Sequence, residues 1–304
     1  MFGVNQIVSS STKLGLGTVQ FGIKYGVFNG SPNPDEAMVK EILEYGVNAG
    51  VKILDTAPSY GVSEEVIGKT LAPASPFKII TKTMSFSGEA TTAANIKAVE
   101  VGFNSSLKKL KQENIEAILV HQAKDLFKPG GDRIVNFLLR LRNEGRVNKI
   151  GVSVYDAKEI DRVLDIFDPD IIQLPINVFD QRLVESGHLD KLKNSGVHIH
   201  ARSLFLQGIA LMPNILIPSY FSSVMNKFVL FEKLALSCNL SKLELCLLFV
   251  NQIKSIDVML VGVRSIQDLK EIIQAETKIK DCNIDFSQIA INDCNYVNPS
   301  NWTT

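Results

Sequence analysis

The stretch Ile53-Leu54-Asp55-Thr56-Ala57-Pro58-Ser59-Tyr60-Gly61 is a short apolar strand that runs directly into a turn carrying a carboxylate and a phenol. Two later apolar runs end in the same way, one near Lys82 and the other at His121. A polar, proton-carrying side chain therefore stands at three successive predicted strand ends. This repetition indicates one site assembled where the strands end.

Short apolar runs alternate with longer segments of helical spacing along the whole chain. One such segment repeats Ile96, Val99, Phe103 and Leu107 at steps of three and four residues, which is typical of one helix face. The first helix is predicted to begin near Asp35 and to end at Gly50. The predicted strands are 14–19, 52–56, 77–83, 117–121, 149–154, 171–174, 198–203 and 258–262.

Strands that each lead into a helix favour the α/β class with a parallel sheet, and a closed (β/α)8 TIM barrel accounts for eight of them. No low-complexity tract or long linker divides the chain, so residues 1–304 are predicted to form a single domain. The alternative is an open doubly wound sheet, but Gly15-Leu16-Gly17 lacks the third glycine of a dinucleotide fold. A barrel places its active site at the C-terminal ends of the strands.

Composition excludes several classes of partner. The chain has 304 residues, with 32 basic and 32 acidic side chains, so it lacks the positive field that nucleic acid attracts. Apolar runs such as 245–250 are too short to cross a bilayer, and no secretory signal is evident. We therefore expect a cytoplasmic protein without nucleic-acid or membrane partners, present as a monomer or small homo-oligomer. The four cysteines are expected to be free thiols.

The residues at the strand ends suit proton transfer to a forming alkoxide. A free phenol has a pKa of about 10, and a nearby Lys82 ammonium would lower the pKa of Tyr60. Asp55 would hold Lys82 in its charged form, and His121 would hydrogen-bond the substrate oxygen. A site that protonates an alkoxide also needs a source of hydride, which proteins take from a cofactor.

Asp55, Tyr60, Lys82 and His121, in this order and on these strands, resemble the catalytic tetrad of the aldo-keto reductase family. The resemblance covers nearly the whole chain and implies NAD(P)H-dependent reduction of an aldehyde or ketone, with Tyr60 as proton donor. The run 202–208, with the sequence Arg-Ser-Leu-Phe-Leu-Gln-Gly, is similar to a bacterial branch often linked to surface-polysaccharide pathways. That likeness implies a small, sugar-derived carbonyl substrate.

The same resemblance implies a set of cofactor-binding residues. Ser153 and Gln173 match positions that bind the nicotinamide carboxamide, and Arg264 and Ser265 match the phosphate-binding end of the eighth strand. Donors at this helix start favour NADP(H), with NAD(H) as the alternative. The implied cofactor-binding residues are Thr18, Val19, Asp55, Ser153, Gln173, Arg202, Ser203, Leu204, Gly208, Gly262, Arg264 and Ser265.

Four positions depart from the family pattern. Val154 and Ile272 each replace an asparagine, and Arg202 stands where many members place an aromatic that stacks on the nicotinamide. A guanidinium plane can also stack, but it adds charge. Asp268 would repel an adenosine phosphate, and we expect it to turn toward solvent so that Arg264 and Ser265 determine the cofactor choice.

Two other functions compete with a reductase. His198 and His200 face one side of a predicted strand and could hold a metal in a hydrolase barrel, but the remaining histidines do not supply further ligands there. Packing in the barrel interior is therefore predicted for them, without a metal. The second alternative is a regulatory barrel that binds the cofactor without turnover.

Overall fold

The computed structural model describes residues 12–26, 32–72, 74–279 and 282–302. Within these ranges, eight strands pair in parallel in chain order, and the last pairs with the first to close a barrel. The strands are β1 (Leu14–Gly17), β2 (Ile53–Asp55), β3 (Lys78–Lys82), β4 (Ile115–Val120), β5 (Val147–Ser153), β6 (Ile171–Pro175), β7 (His198–Arg202) and β8 (Val258–Gly262). The predicted (β/α)8 barrel is confirmed, and each predicted strand is present with ends that differ by at most a few residues.

Helices follow every strand and surround the barrel. They are α1 (Glu36–Asn48), α2 (Ser63–Thr70), α3 (Ala93–Leu110), α4 (Asp132–Asn143), α5 (Ala157–Leu164), α6 (Arg182–Glu185), α7 (His188–Asn194), α8 (Met225–Cys238), α9 (Lys242–Gln252), α10 (Ile266–Lys278) and α11 (Cys294–Val297). Asp35 caps the first of these by accepting a hydrogen bond from the Met38 amide, as acceptors at helix starts commonly do. The predicted start of this helix is thus confirmed.

The interior of the barrel has an apolar layer directly below its mouth. Ile80, Leu119 and Ile171 are buried there together with Ala117, and Ile53 packs against them. Because side chains alternate along a strand, the next inward positions are two residues further on. These positions are Asp55, Lys82, His121 and Gln173, so the apolar layer supports the polar side chains at the strand ends.

Two segments close one side of the mouth. The connection from β7 to α8 spans residues 203–224 and contains Ser203 and Gln207 with positive φ angles of 60° and 54°. The C-terminal segment 294–302 packs against it through aromatic rings, with centroids 5.3 Å apart for Phe221 and Trp302. Tyr220 adds a hydrogen bond from its hydroxyl to the Asn295 carbonyl at 2.8 Å. The chain end therefore becomes part of the rim.

Among the described residues, no single helix combines enough length with enough apolar character to cross a membrane; the segments Ser219–Cys238 and Lys242–Gln252 do so only when counted together across a 92° bend.

Close packing of α2 on α3 gives a test of the fold. A Cβ at Gly68 would lie 1.9 Å from the Lys109 carbonyl oxygen, whereas a Cβ at Gly46 in α1 would meet side chains at 3.4 Å. We expect Gly68→Ala to destabilise the protein by about 1–3 kcal/mol, because backbone must move to admit the methyl group. Gly46→Ala, its control, should be neutral or slightly stabilising because alanine favours helix. Urea unfolding of both variants measures this, and equal effects would contradict the packing argument.

Candidate active site

Three side chains meet at the ends of β2 and β3 and in the loop after β2. The Lys82 Nζ atom donates to Asp55 Oδ2 at 2.7 Å and to the Tyr60 hydroxyl at 3.3 Å. The Asp55 and Lys82 side chains are almost completely buried, with 5% and 1% of their surface exposed. The ammonium therefore connects a carboxylate to a phenol in an environment that largely excludes water.

Neighbouring groups fix this arrangement. Lys82 also donates to the Thr56 carbonyl oxygen at 3.0 Å, so all three of its N–H groups have acceptors. Gln173, from the opposite part of the barrel, donates through Nε2 to the second Asp55 oxygen at 2.8 Å. Each charged atom is thus hydrogen-bonded, as a buried ion pair requires.

The acidity of Tyr60 differs from the sequence-based expectation. Burial raises the pKa of the Tyr60 phenol above its ordinary value, and the Lys82 charge lowers it only in part. For Lys82, burial lowers the pKa but Asp55 and Tyr60 raise it further, so the amine stays charged. The expected fall in the phenol pKa is therefore not found: the ammonium offsets part of the desolvation of Tyr60.

His121 lies one residue beyond β4 and beside Tyr60. The two ring centroids are 6.2 Å apart and nearly perpendicular, and Nδ1 makes a long 3.5 Å contact with the Ser59 hydroxyl. Its backbone amide donates to Thr83 Oγ1 at 3.2 Å. Burial, followed by the Lys82 charge, lowers the pKa of His121 to about 4. The imidazole is therefore neutral at pH 7 and offers one donor and one acceptor.

A cavity of about 830 Å³ opens above these residues and extends to the end of β8. All four predicted catalytic residues line it, as do all the predicted cofactor-binding residues except Ser265. Several lining residues were not predicted from the sequence, including Tyr25, Lys124, Tyr155, Glu159, Asn298 and Ser300. Tyr155 directly follows a predicted strand, so the rule that located Asp55 could also have located it.

Arg202 lies at the end of β7 and forms part of the cavity wall. Its Nη2 atom donates to the Val154 carbonyl oxygen at 3.2 Å, and its Nη1 atom lies 3.4 Å from Ser203 Oγ. The guanidinium carbon stands 4.4 Å from the centre of the Tyr155 ring. The position that departs from the family pattern thus places a cation beside the site.

Asp268 does not turn toward solvent as the sequence analysis expected. Its Oδ2 atom accepts from the backbone amides of Arg264 at 2.8 Å and Ser265 at 3.2 Å, and its Oδ1 atom accepts from the Ser265 hydroxyl at 2.8 Å. These contacts form a capping box at the start of α10. Two backbone amides and the Ser265 hydroxyl, all assigned to a phosphate, are therefore already bonded to a carboxylate.

The histidines on β7 separate into different environments. His200 is buried inside the barrel, while His198 is exposed at the start of the strand. Among residues 12–26, 32–72, 74–279 and 282–302, no group of three or more His, Cys, Asp or Glu side chains is arranged to hold a metal ion. Interior packing is confirmed for His200 and is wrong for His198.

The closed barrel and the buried Asp55–Lys82 pair beside Tyr60 indicate the class of protein, and comparison with known families agrees. The model of the aldo/keto reductase family matches residues 13–290, and the chain belongs to this family. Similarity to curated relatives is low. Aldo-keto reductase YhdN of Bacillus subtilis is 27% identical over 58% of this chain and 53% of its own length.

Two further relatives bear more specific names. The NADH-specific methylglyoxal reductase of Escherichia coli is 24% identical over 65% of both chains. L-galactose dehydrogenase of Arabidopsis thaliana is 25% identical over 90% of this chain and 89% of its own. This chain thus spans about half to two thirds of the two bacterial relatives.

Solved structures show the same fold. The holo form of an aldo-keto reductase from Bacillus halodurans superimposes with a TM-score of 0.72, covering 93% of both chains at 18% identity.

The Asp55–Lys82 pair gives a direct test of the site's energetics. Lys82→Met should destabilise the protein by about 3–5 kcal/mol, because it leaves a buried carboxylate without its cation. Adding Asp55→Asn should recover much of this loss. The control is Lys69→Met on α2, where the partners Glu36 and Glu65 are exposed and the effect should be small. Urea unfolding of these variants and of Asp55→Asn alone measures the coupling, and strictly additive losses for Lys82 and Asp55 would contradict it.

Proposed function

We propose that this protein is a nicotinamide-dependent carbonyl reductase in which Tyr60 is the proton donor to an aldehyde or ketone. The observation that carries the proposal is the Tyr60 hydroxyl, held 3.3 Å from a buried ammonium at the base of an open cavity. A phenol in this position can donate its proton, and the Lys82 ammonium stabilises the phenolate that forms.

The four side chains divide the work as follows. The raised pKa keeps Tyr60 protonated at neutral pH, so the O–H bond is intact when a carbonyl oxygen approaches. As negative charge develops on that oxygen, Tyr60 transfers its proton and Lys82 stabilises the phenolate. Asp55 keeps Lys82 charged and fixed. Neutral His121 can donate a second hydrogen bond to the same oxygen without competing for the proton.

The residues around the cavity fit a nicotinamide cofactor, which would supply hydride to the carbonyl carbon when bound. Gln173 uses its Nε2 atom on Asp55, which leaves its carbonyl oxygen to accept from a carboxamide, and nearly buried Ser153 is its neighbour on β5. Thr18 and Val19 line one wall and the 202–208 segment lines the other. At the far end, the missing side chain of Gly262 lets the Gln20 amide pack closely, since a Cβ would come within 2.3 Å of it.

A small, sugar-derived carbonyl is the proposed substrate. Hydroxyl, amide and carboxyl side chains line the cavity around Tyr60, including Tyr155, Glu159, Asn298 and Ser300, and such groups suit a polyhydroxylated molecule. The name of the plant relative, an L-galactose dehydrogenase, agrees with this class. We further propose that residues 1–304 act as one domain, as a monomer or small homo-oligomer, in the cytoplasm where reduced nicotinamide cofactors are kept.

The position of Asp268 favours a different cofactor from the NADP(H) that the sequence suggested. The Arg264 guanidinium supplies the cation of the Arg264–Ser265 pair expected to bind an adenosine phosphate, and its Nη2 atom donates to the Tyr25 carbonyl oxygen at 2.6 Å. Asp268 lies in the same cavity wall and would repel a phosphate dianion. We therefore propose NAD(H) as the preferred cofactor and NADP(H) as the weaker one, in line with the name of the E. coli relative.

Replacing Tyr60 tests the assigned chemistry. Tyr60→Phe removes the donor with little change in volume, so turnover of a reactive aldehyde should fall at least about a hundredfold while cofactor affinity is kept. Tyr45→Phe on α1, outside the cavity, is the control and should leave both quantities unchanged. Near-normal turnover by Tyr60→Phe would remove it as the acid. A parent protein that binds cofactor yet shows no turnover would identify a non-catalytic binding barrel.

Replacing Asp268 tests the cofactor preference. Asp268→Asn retains an acceptor for the helix cap but removes the charge, so NADPH affinity should rise by about tenfold while NADH affinity changes little. Glu271→Gln, on an exposed part of the same helix, is the matched control and should change neither. Dissociation constants from cofactor fluorescence at low and high salt measure the effect. Tighter binding of NADPH than NADH by the parent would show that Arg264 sets the preference instead.

A further inference from the structure

Arg202 spans the sector of the mouth next to the proposed proton donor. It pairs with Pro175 at the end of β6, yet its guanidinium passes beyond that strand to the Val154 carbonyl oxygen, directly after β5. It therefore lies across the ends of three neighbouring strands. Its charge is also felt on the inner side of the cavity, where it lowers the pKa of Tyr60 and His121 as a minor contribution.

None of the partners of Arg202 within the described part of the chain is a carboxylate. They are a backbone carbonyl, the Ser203 hydroxyl and the Tyr155 ring. Glu159 feels its charge, but the Glu159 carboxylate accepts a hydrogen bond from the Tyr155 amide at 2.6 Å and not from Arg202. The Asp55 charge is balanced by Lys82 at 2.7 Å. Among the described residues, Arg202 therefore presents a cation to this wall of the cavity without a direct ion pair.

The proposed reaction places the nicotinamide ring of the cofactor against this wall, and the charge of that ring changes during the reaction. Hydride and proton add to adjacent atoms of one carbonyl group, so the nicotinamide must lie within a few ångströms of the Tyr60 hydroxyl. The oxidised nicotinamide ring carries one positive charge and the reduced ring is neutral. We propose that Arg202 makes the site discriminate between the two redox forms of its cofactor, favouring the reduced form by repelling the oxidised ring.

This inference rests on the proposed function and adds a preferred direction of the reaction, reduction of the carbonyl over oxidation of the alcohol. A cation that disfavours the oxidised ring releases the spent cofactor after each reduction and makes the enzyme a poor alcohol oxidase. The aromatic residue expected at this position would stack on either form without a net charge of its own. Repulsion between two unit charges a few ångströms apart in a partly buried site weakens binding of the oxidised cofactor by at least about tenfold relative to the neutral, reduced one.

The test is the ratio of dissociation constants for NAD⁺ and NADH, measured by calorimetry without substrate. In the parent, NADH should bind at least about tenfold more tightly. Arg202→Gln should reduce this ratio by about tenfold, mainly because NAD⁺ binds more tightly. Arg202→Lys keeps the charge without the planar fork and should retain most of the ratio. Arg264→Gln, at the far end of the cavity, should change both affinities equally.

The outcomes separate this inference from the function on which it rests. If Arg202→Gln weakens or preserves both forms equally, the residue only shapes the pocket and the inference is overturned. If the parent binds neither NADH nor NADPH, the proposed function itself fails. Arg202→Met keeps the aliphatic stem over Tyr155 and gives the same measurement should Arg202→Gln not fold.

Discussion

The buried ion pair between Asp55 and Lys82 is the interaction on which the site depends. Two charges held at 2.7 Å inside a barrel are tolerated only where every remaining lone pair and proton has a partner. That condition explains Gln173 on the second carboxylate oxygen, the Thr56 carbonyl on the amine, and Tyr60 as the third acceptor. The Lys82 ammonium therefore orients the phenol through its third hydrogen bond. The same contact stabilises the phenolate form of Tyr60.

Burial and charge act in opposite directions on Tyr60 and in the same direction on His121. For the phenol, desolvation disfavours the anion and Lys82 favours it, so the proton stays until an acceptor arrives. For the imidazole, desolvation and Lys82 both disfavour the cation. One fixed ammonium therefore acts differently on two neighbouring groups, and this difference underlies the separate roles proposed for Tyr60 and His121.

Most of this site was predictable because it follows from the periodicity of the strands. Asp55, Lys82 and Gln173 are strand-end positions in register with an apolar layer, and that pattern is readable from sequence. The role of Asp268 was also encoded, since Ser265 and Asp268 have the spacing of a capping box. The contact of Arg202 with Val154, and the arrival of Asn298 at the rim, were not readable, because they depend on side-chain rotamers and on packing between distant segments.

Two departures from the family pattern, Arg202 and Asp268, lie at the cavity wall and outside the apolar core. Asp55 and Lys82 are buried and bonded to each other, and Lys82 also holds Tyr60, so a change there disturbs the ion pair and the core below it. Arg202 and Asp268 are partly exposed and are held by hydrogen bonds to nearby backbone atoms. Their charges can therefore change with little effect on the apolar core of the barrel. Both line the same cavity. Under the proposed function, substitutions at these two positions would alter the choice of cofactor and of its redox state while leaving the contacts of Asp55, Lys82 and Tyr60 unchanged.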